Sequence, residues 1–181
     1  MRNEEIIAMM ASRKRETKET SIEVLLKTDG SGIIKADTGI ELLDEILRAL
    51  ARGGGFDLTV TARGDLQTGD HHTAEDTAIT LGSTLAQEVK SGIGSSIVPS
   101  GQTVAMAAVR FGEPGYQGNF ELSSGAMAGM NLEDLPHFLR SLAYSGRFNL
   151  AICAKGGGDR SKIEAMSMAM GRAIKRAARD G

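Results

Sequence analysis

Leu43-Asp44-Glu45-Ile46-Leu47-Arg48-Ala49-Leu50-Ala51 is answered later in the chain by Leu135-Pro136-His137-Phe138-Leu139-Arg140-Ser141-Leu142-Ala143, at an offset of 92 residues. Phe56-Asp57-Leu58 returns as Phe148-Asn149-Leu150 at the same offset. After a turn shorter by three residues, Asp70-His71-His72-Thr73-Ala74-Glu75 returns as Asp159-Arg160-Ser161-Lys162-Ile163-Glu164, now at an offset of 89. Apolar periodicity alone is common to amphipathic helices, but L-R-x-L-A, F-x-L and D-x-x-x-x-E matching in one order points to a duplicated unit. The expectation is a single domain over 1–181 made of two repeats, about 13–92 and 102–181.

Within the first repeat, Ser21–Leu26 and Gly32–Ala36 read as strands joined at Thr28–Gly32, whose Asp-Gly step predicts a tight hairpin. From Thr38-Gly39 to Arg52, apolar residues at Ile40, Leu43, Ile46, Leu47 and Leu50 keep helical spacing, and Gly53-Gly54-Gly55 ends the run. Phe56–Ala62 alternates as a strand, and a helix follows the Gly-rich turn Gly64–Gly69 and runs to about Lys90. Beyond it, Ser91–Gly101 reads as a connection, Thr103–Phe111 and Tyr116–Leu122 as strands, and Ser123–Asn131 as a small-residue loop. Met1–Met10 reads as a short amphipathic or frayed arm.

A chain of 181 residues that is 41% hydrophobic can bury one sizeable core. A net charge of −2 with mixed signs argues against a nucleic-acid surface. No signal-peptide core or bilayer-length apolar run is present, and the single cysteine, Cys153, excludes an internal disulfide; it reads as a small core residue. A cytoplasmic protein with no membrane and no nucleic-acid partner is expected.

The chemistry concentrates in Asp70–Asp76, which holds two of the three histidines. On a helix, His71 and Glu75 stand four apart and His72 and Glu75 three apart, so imidazole and carboxylate share a face. His71 and His72 diverge by roughly 100° and suit two different ions or faces. Three readings compete: a solvated helix start, a proton shuttle, and a metal half-site. The repeat places Glu45 at the position of His137, and Arg160, Ser161 and Glu164 at those of His71, His72 and Glu75.

Taken together, several blocks resemble the imidazoleglycerol-phosphate dehydratase family, the hydro-lyases of histidine biosynthesis. They are Arg15-Glu16-Thr17-Lys18-Glu19-Thr20-Ser21-Ile22, Asp29-Gly30 with Thr38-Gly39-Ile40 and Leu43-Asp44, Gly64-Asp65-Leu66, Asp70–Asp76 with Ile79 and Leu81-Gly82, and Lys162-Ile163-Glu164-Ala165. The resemblance implies an α+β fold of two similar halves, each a small mixed β-sheet with two helices, the helices packed between the sheets (ribosomal protein S5 domain 2-like). It implies homo-oligomers, trimers and 24-subunit shells, with active sites between subunits. It also implies manganese bound through His71, His72, Glu75, His137, Glu164 and Glu45, and elimination of water from an imidazole-bearing small molecule, imidazole glycerol phosphate. Glu19, Glu75 and Glu164 are the catalytic carboxylates it suggests, with Glu19 approaching the substrate as acid or base.

The departures matter as much. Of eight family ligand positions five stand, Glu45 replaces a histidine, and Arg160 and Ser161 replace the second His-His pair. Arginine has no free lone pair for a metal, so manganese is expected at full, reduced or no occupancy. Family phosphate cations are also missing, with Ser95 and Ser167 at two of their positions, and Ala151 stands where a strand histidine is common. Arg160 is expected to replace a metal ion, paired with Glu164 or with Glu75 across an interface. Two functional classes follow: a metal-dependent hydro-lyase, or a paralogue kept for assembly or ligand binding.

Overall fold

The computed structural model describes residues 10–64 and 70–181; all but the last residue of the predicted arm and most of the Gly64–Gly69 turn lie outside them. Chain order is β1 (Ala11–Glu16), β2 (Thr20–Lys27), β3 (Ile34–Asp37), α1 (Glu41–Gly54), β4 (Asp57–Gly64) and α2 (His71–Glu88). The second half adds β5 (Ile93–Ser100), β6 (Thr103–Phe111), β7 (Gly115–Asn119), the short pair β8 (Ala126–Met127) and β9 (Met130–Asn131), a 3-10 turn (Leu132–Asp134), α3 (Leu135–Ser145), β10 (Phe148–Lys155) and α4 (Asp159–Asp180).

The repeat is visible in the topology. One sheet has the order β1-β2-β4-β3 and the other β5-β6-β10-β7. Each is antiparallel except for its last pair, β3 with β4 and β7 with β10. Alternation along the strands sends Ile22, Val24, Leu26, Leu58 and Val60 of one sheet, and Ala105, Ala107, Val109, Leu150 and Ile152 of the other, into one buried core. The four helices fill the space between the sheets, α1 against α4 and α2 against α3, so each helix pair joins the two halves.

Glycine sets how closely these pairs approach. A Cβ on Gly171 would run into the Leu50 carbonyl oxygen and one on Gly82 would come within 2.5 Å of the Leu142 oxygen, and these four residues are repeat mates. Helix α2 buries Thr77, Thr80 and Thr84 at no hydrogen-bonding cost, because they donate to carbonyls four residues back at 2.7, 2.7 and 2.8 Å.

Several sequence expectations change. β2 and β3 form no hairpin: β3 crosses to the far side of β4 and runs parallel to it. The buried carboxylate of Asp57 directs this path, its Oδ1 accepting the N–H groups of Ser31, Gly32 and Ile33 at 2.7, 2.8 and 2.8 Å. Ser91–Gly101 is mostly strand β5, whose inward residues Gly94, Ser96 and Val98 are small because α4 lies directly on them. β1 was not anticipated, and the loop Ser123–Asn131 contains the β8–β9 pair. Cys153 is not a core residue. Leu150, Ile152 and Ala154 point inward, so Cys153 faces out and is half-buried in a shallow groove with Ile97, Met106 and Ala151.

Candidate active site

The first cluster forms where the N-terminus of α2 meets α3 and the β1–β2 turn. Asp70, ahead of α2, accepts the Asn131 N–H at 2.9 Å and so ties the approach to α3 against the start of α2. His71 Nδ1 then lies 2.8 Å from Asp134 Oδ1, while its Nε2 faces Glu75 Oε2 at 3.8 Å. The His71 ring meets His137 edge to face, centroids 5.9 Å apart, and His72 at 5.7 Å. Ser141 donates to Glu75 Oε1 at 3.4 Å.

Glu19 arrives from the turn. Thr17 Oγ1 accepts the N–H groups of Glu19 and Thr20 at 3.2 and 2.9 Å, and Asp76 grips Arg15 Nε at 2.8 Å and the Thr20 hydroxyl at 2.5 Å. This clamp sets Glu19 Oε2 2.7 Å from His72 Nδ1. A cavity of about 260 Å³ opens here, lined by Thr17, Lys18, Glu19, His72, Glu75 and Asp76. The cluster is open to water: His71 and His72 side chains are 46% and 58% exposed.

Around the pseudo-symmetric position, α4 meets α1. Arg160 Nη2 lies 3.3 Å from Glu45 Oε1, and Arg52 Nη2 lies 3.3 Å from Glu164 Oε1. Within the chain the expected partner of Arg160, Glu164, is therefore corrected to Glu45, because α1 rather than the next turn of α4 faces the guanidinium. Ser161 Oγ is 2.8 Å from Thr103 Oγ1. Glu45, Ile46, Arg48, Arg52, Arg160, Ile163 and Glu164 line a cavity of about 380 Å³.

The structure thus divides the predicted residues: His71, His72, Glu75, His137 and Glu19 gather in one cluster, Glu45 and Glu164 in another. Asp134 and Ser141 escaped the sequence reading. The signal for Asp134 was its place just ahead of the Leu135-Pro136-His137 helix start, which aims its carboxylate at the neighbouring helix N-terminus. Ser167, at a family cation position, is buried and donates to the Ile163 carbonyl at 2.7 Å.

Among the described residues no three His, Cys, Asp or Glu side chains already converge as a cage. The first cluster nevertheless has the donor chemistry for a metal ion. A carboxylate on one histidine nitrogen, with the other nitrogen free toward a second carboxylate, is how ligating histidines are oriented. His71 Nε2 and Glu75 Oε2, 3.8 Å apart and one helical turn from each other, are an imidazole nitrogen and a carboxylate oxygen, the donor kinds such ions take. The second cluster does not have that chemistry, since Arg160 offers no lone pair.

A family model described as imidazoleglycerol-phosphate dehydratase matches residues 38–174. The chain belongs to the imidazoleglycerol-phosphate dehydratase family. The enzyme of that name from Desulforudis audaxviator is 40% identical over 176 residues, covering 93% of this chain and 90% of the relative. The one from Methanothermobacter thermautotrophicus is 39% identical over 181 residues, covering 96% and 93%. A crystal structure of the Pyrococcus furiosus dehydratase in complex with (S)-C348 is similar at TM-score 0.77 and 29% identity, covering 93% of this chain and 94% of that one. The two-sheet architecture is thus the dehydratase family's.

Proposed function

We propose that the chain is a metal-dependent hydro-lyase that removes water from imidazole glycerol phosphate, or from a related imidazole-bearing molecule, in histidine biosynthesis. The observation that carries this reading is the setting of His71, held by Asp134 at one nitrogen and facing Glu75 with the other, His137 alongside. His71, His72, Glu75 and His137 would hold manganese, which when bound would supply a template for the imidazole ring and Lewis-acid stabilisation of developing negative charge.

The remaining work falls to the protein. Glu19 takes the carbon-bound proton and delivers one to the departing hydroxyl, with His72 Nδ1 at 2.7 Å orienting its carboxylate. Glu75 accepts from Ser141 at 3.4 Å and faces His71 at 3.8 Å, which turns its carboxylate toward the cluster. Lys18 lines the same cavity and offers a cation for an anionic substrate group. Within the chain Glu45 and Glu164 are paired with arginines, and we assign the chemistry to the first cluster.

Of the two functional classes, the family relationship supports the catalytic one. A homo-oligomer, as trimer or 24-subunit shell, fits the open first cluster, since a second copy closing over it excludes water. We read the chain as one domain of two repeats, about 13–92 and 102–181, acting in the cytoplasm where amino-acid biosynthesis runs. Among the described residues no helix is long and apolar enough to cross a membrane. The test is turnover of imidazole glycerol phosphate by manganese-reconstituted protein, together with rescue of a histidine auxotroph; absence of both with manganese bound refutes the reading.

A further inference from the structure

The two clusters occupy equivalent places in a duplicated fold, yet their chemistry is opposite. Where α2 and α3 bring His71 to His137, α4 and α1 bring Arg160 to Glu45. We infer that the second half-site carries its own cation in place of a divalent ion: Arg160 neutralises Glu45, Arg52 neutralises Glu164, and metal binding belongs to the first half-site alone.

Three observations carry this. Both carboxylates of the second cluster are already compensated, each 3.3 Å from a guanidinium on the opposing helix. A divalent ion would have to break both pairs and sit beside a guanidinium that keeps its charge at any accessible pH. Ser161, the counterpart of His72, is engaged elsewhere: its hydroxyl meets Thr103 Oγ1 at 2.8 Å and the Ser100 carbonyl at 3.5 Å, binding α4 to the β5–β6 turn. Arg48, the third arginine of the cavity, is tied to the Ala36 carbonyl at 2.7 Å and Asp44 at 3.4 Å, which holds α1 in register. The cluster is two ion pairs between α1 and α4, with Arg160 at the position whose repeat mate is the histidine His71.

The consequence is asymmetric metal dependence. Contacts made through α1 and α4 persist in chelator, while the α2–α3 cluster responds to metal. The inference leans on the dehydratase reading only in taking the first cluster as the metal site, and metal counting separates the two. Full-length protein is loaded with manganese, freed of unbound ion, and its manganese per chain counted for wild type, His71→Ala/His137→Ala, Glu45→Gln, Glu164→Gln and Arg160→His/Ser161→His. The expected result is loss of bound manganese in the histidine pair variant, an unchanged count in each Glu→Gln variant, and about one additional ion per chain in Arg160→His/Ser161→His. A lower count in Glu45→Gln or Glu164→Gln overturns the inference.

A melting experiment gives a readout free of the first site. In the His71→Ala/His137→Ala background, manganese leaves Tm unchanged while Arg160 is present and raises it when Arg160→Ala is added. A manganese-induced rise with Arg160 in place overturns the proposal. Turnover is read separately: inactive protein with the expected metal pattern removes the dehydratase reading alone, and active protein that loses manganese with Glu45→Gln removes this inference alone.

Discussion

Replacing Asp57 with Asn tests how the first sheet is assembled. Three backbone N–H groups reach Asp57 Oδ1 at 2.7 to 2.8 Å, and the Ser31 hydroxyl adds a longer contact of 3.2 Å. Hydrogen bonds to a charged acceptor contribute about 1.5–3 kcal/mol and neutral ones about 0.5–1.5, so losing the charge costs roughly 1 kcal/mol at each N–H. Ser31, Gly32 and Ile33 are exposed and can recover part of this from water, which sets the total at about 2–3 kcal/mol. For a chain of this size that is a fall in Tm of roughly 4–12 °C. The pH dependence has a defined sign. Burial pushes the Asp57 carboxyl up, but the N–H groups of Ile33, Ser31 and Gly32 with the Ser31 hydroxyl outweigh it and hold it below its ordinary 3.8. Stability from this group is fully present above the ordinary value and is lost as pH falls through the lowered one. Thermal melts of wild type and Asp57→Asn across pH 3–7 should therefore show a full gap near neutrality that narrows toward acid. Hydrogen exchange should quicken at Leu58, whose N–H meets the Ile33 carbonyl at 2.8 Å. A variant melting within 2 °C of wild type at pH 7, or a gap that widens in acid, refutes the reasoning.

Other outcomes follow from the same geometry. Glu19→Gln should lower kcat by roughly 10²–10⁴ even in protein saturated with manganese, measured by steady-state turnover alongside metal counting. Asp134→Asn should weaken manganese about 10–100-fold by releasing His71, with activity recovered at high manganese; unaltered affinity would show that His71 needs no orienting partner. Gly171→Ala should destabilise by roughly 1–3 kcal/mol in denaturant unfolding, because the added methyl meets the Leu50 carbonyl and backbone yields little. Gly82→Ala should cost less, its contact with the Leu142 oxygen being longer.

The architecture was legible because a duplication writes the same buried pattern twice. Leu47, Leu50 and Phe56 and their mates Leu139, Leu142 and Phe148 all end in the core. Strand pairing was less legible. An Asp-Gly step favours a hairpin locally, but Asp57, some 25 residues on, captures the loop and sends β3 across β4. β5 was hidden by its Gly and Ser residues, chosen for closeness to α4 rather than for strand propensity. In the site, the grouping of His71 and His72 with Glu75 was legible from helical spacing, which left its role open among three readings. Asp134 and the Glu45 partner of Arg160 were not, since both contacts lie between helices from different halves.

The most direct measurement is dehydration of imidazole glycerol phosphate by protein stripped of metal and then given manganese, in wild type and His71→Ala/His137→Ala. The account predicts no turnover in the stripped protein, recovery with manganese, and no recovery in the variant. Turnover that survives both metal removal and loss of the two histidines would contradict it.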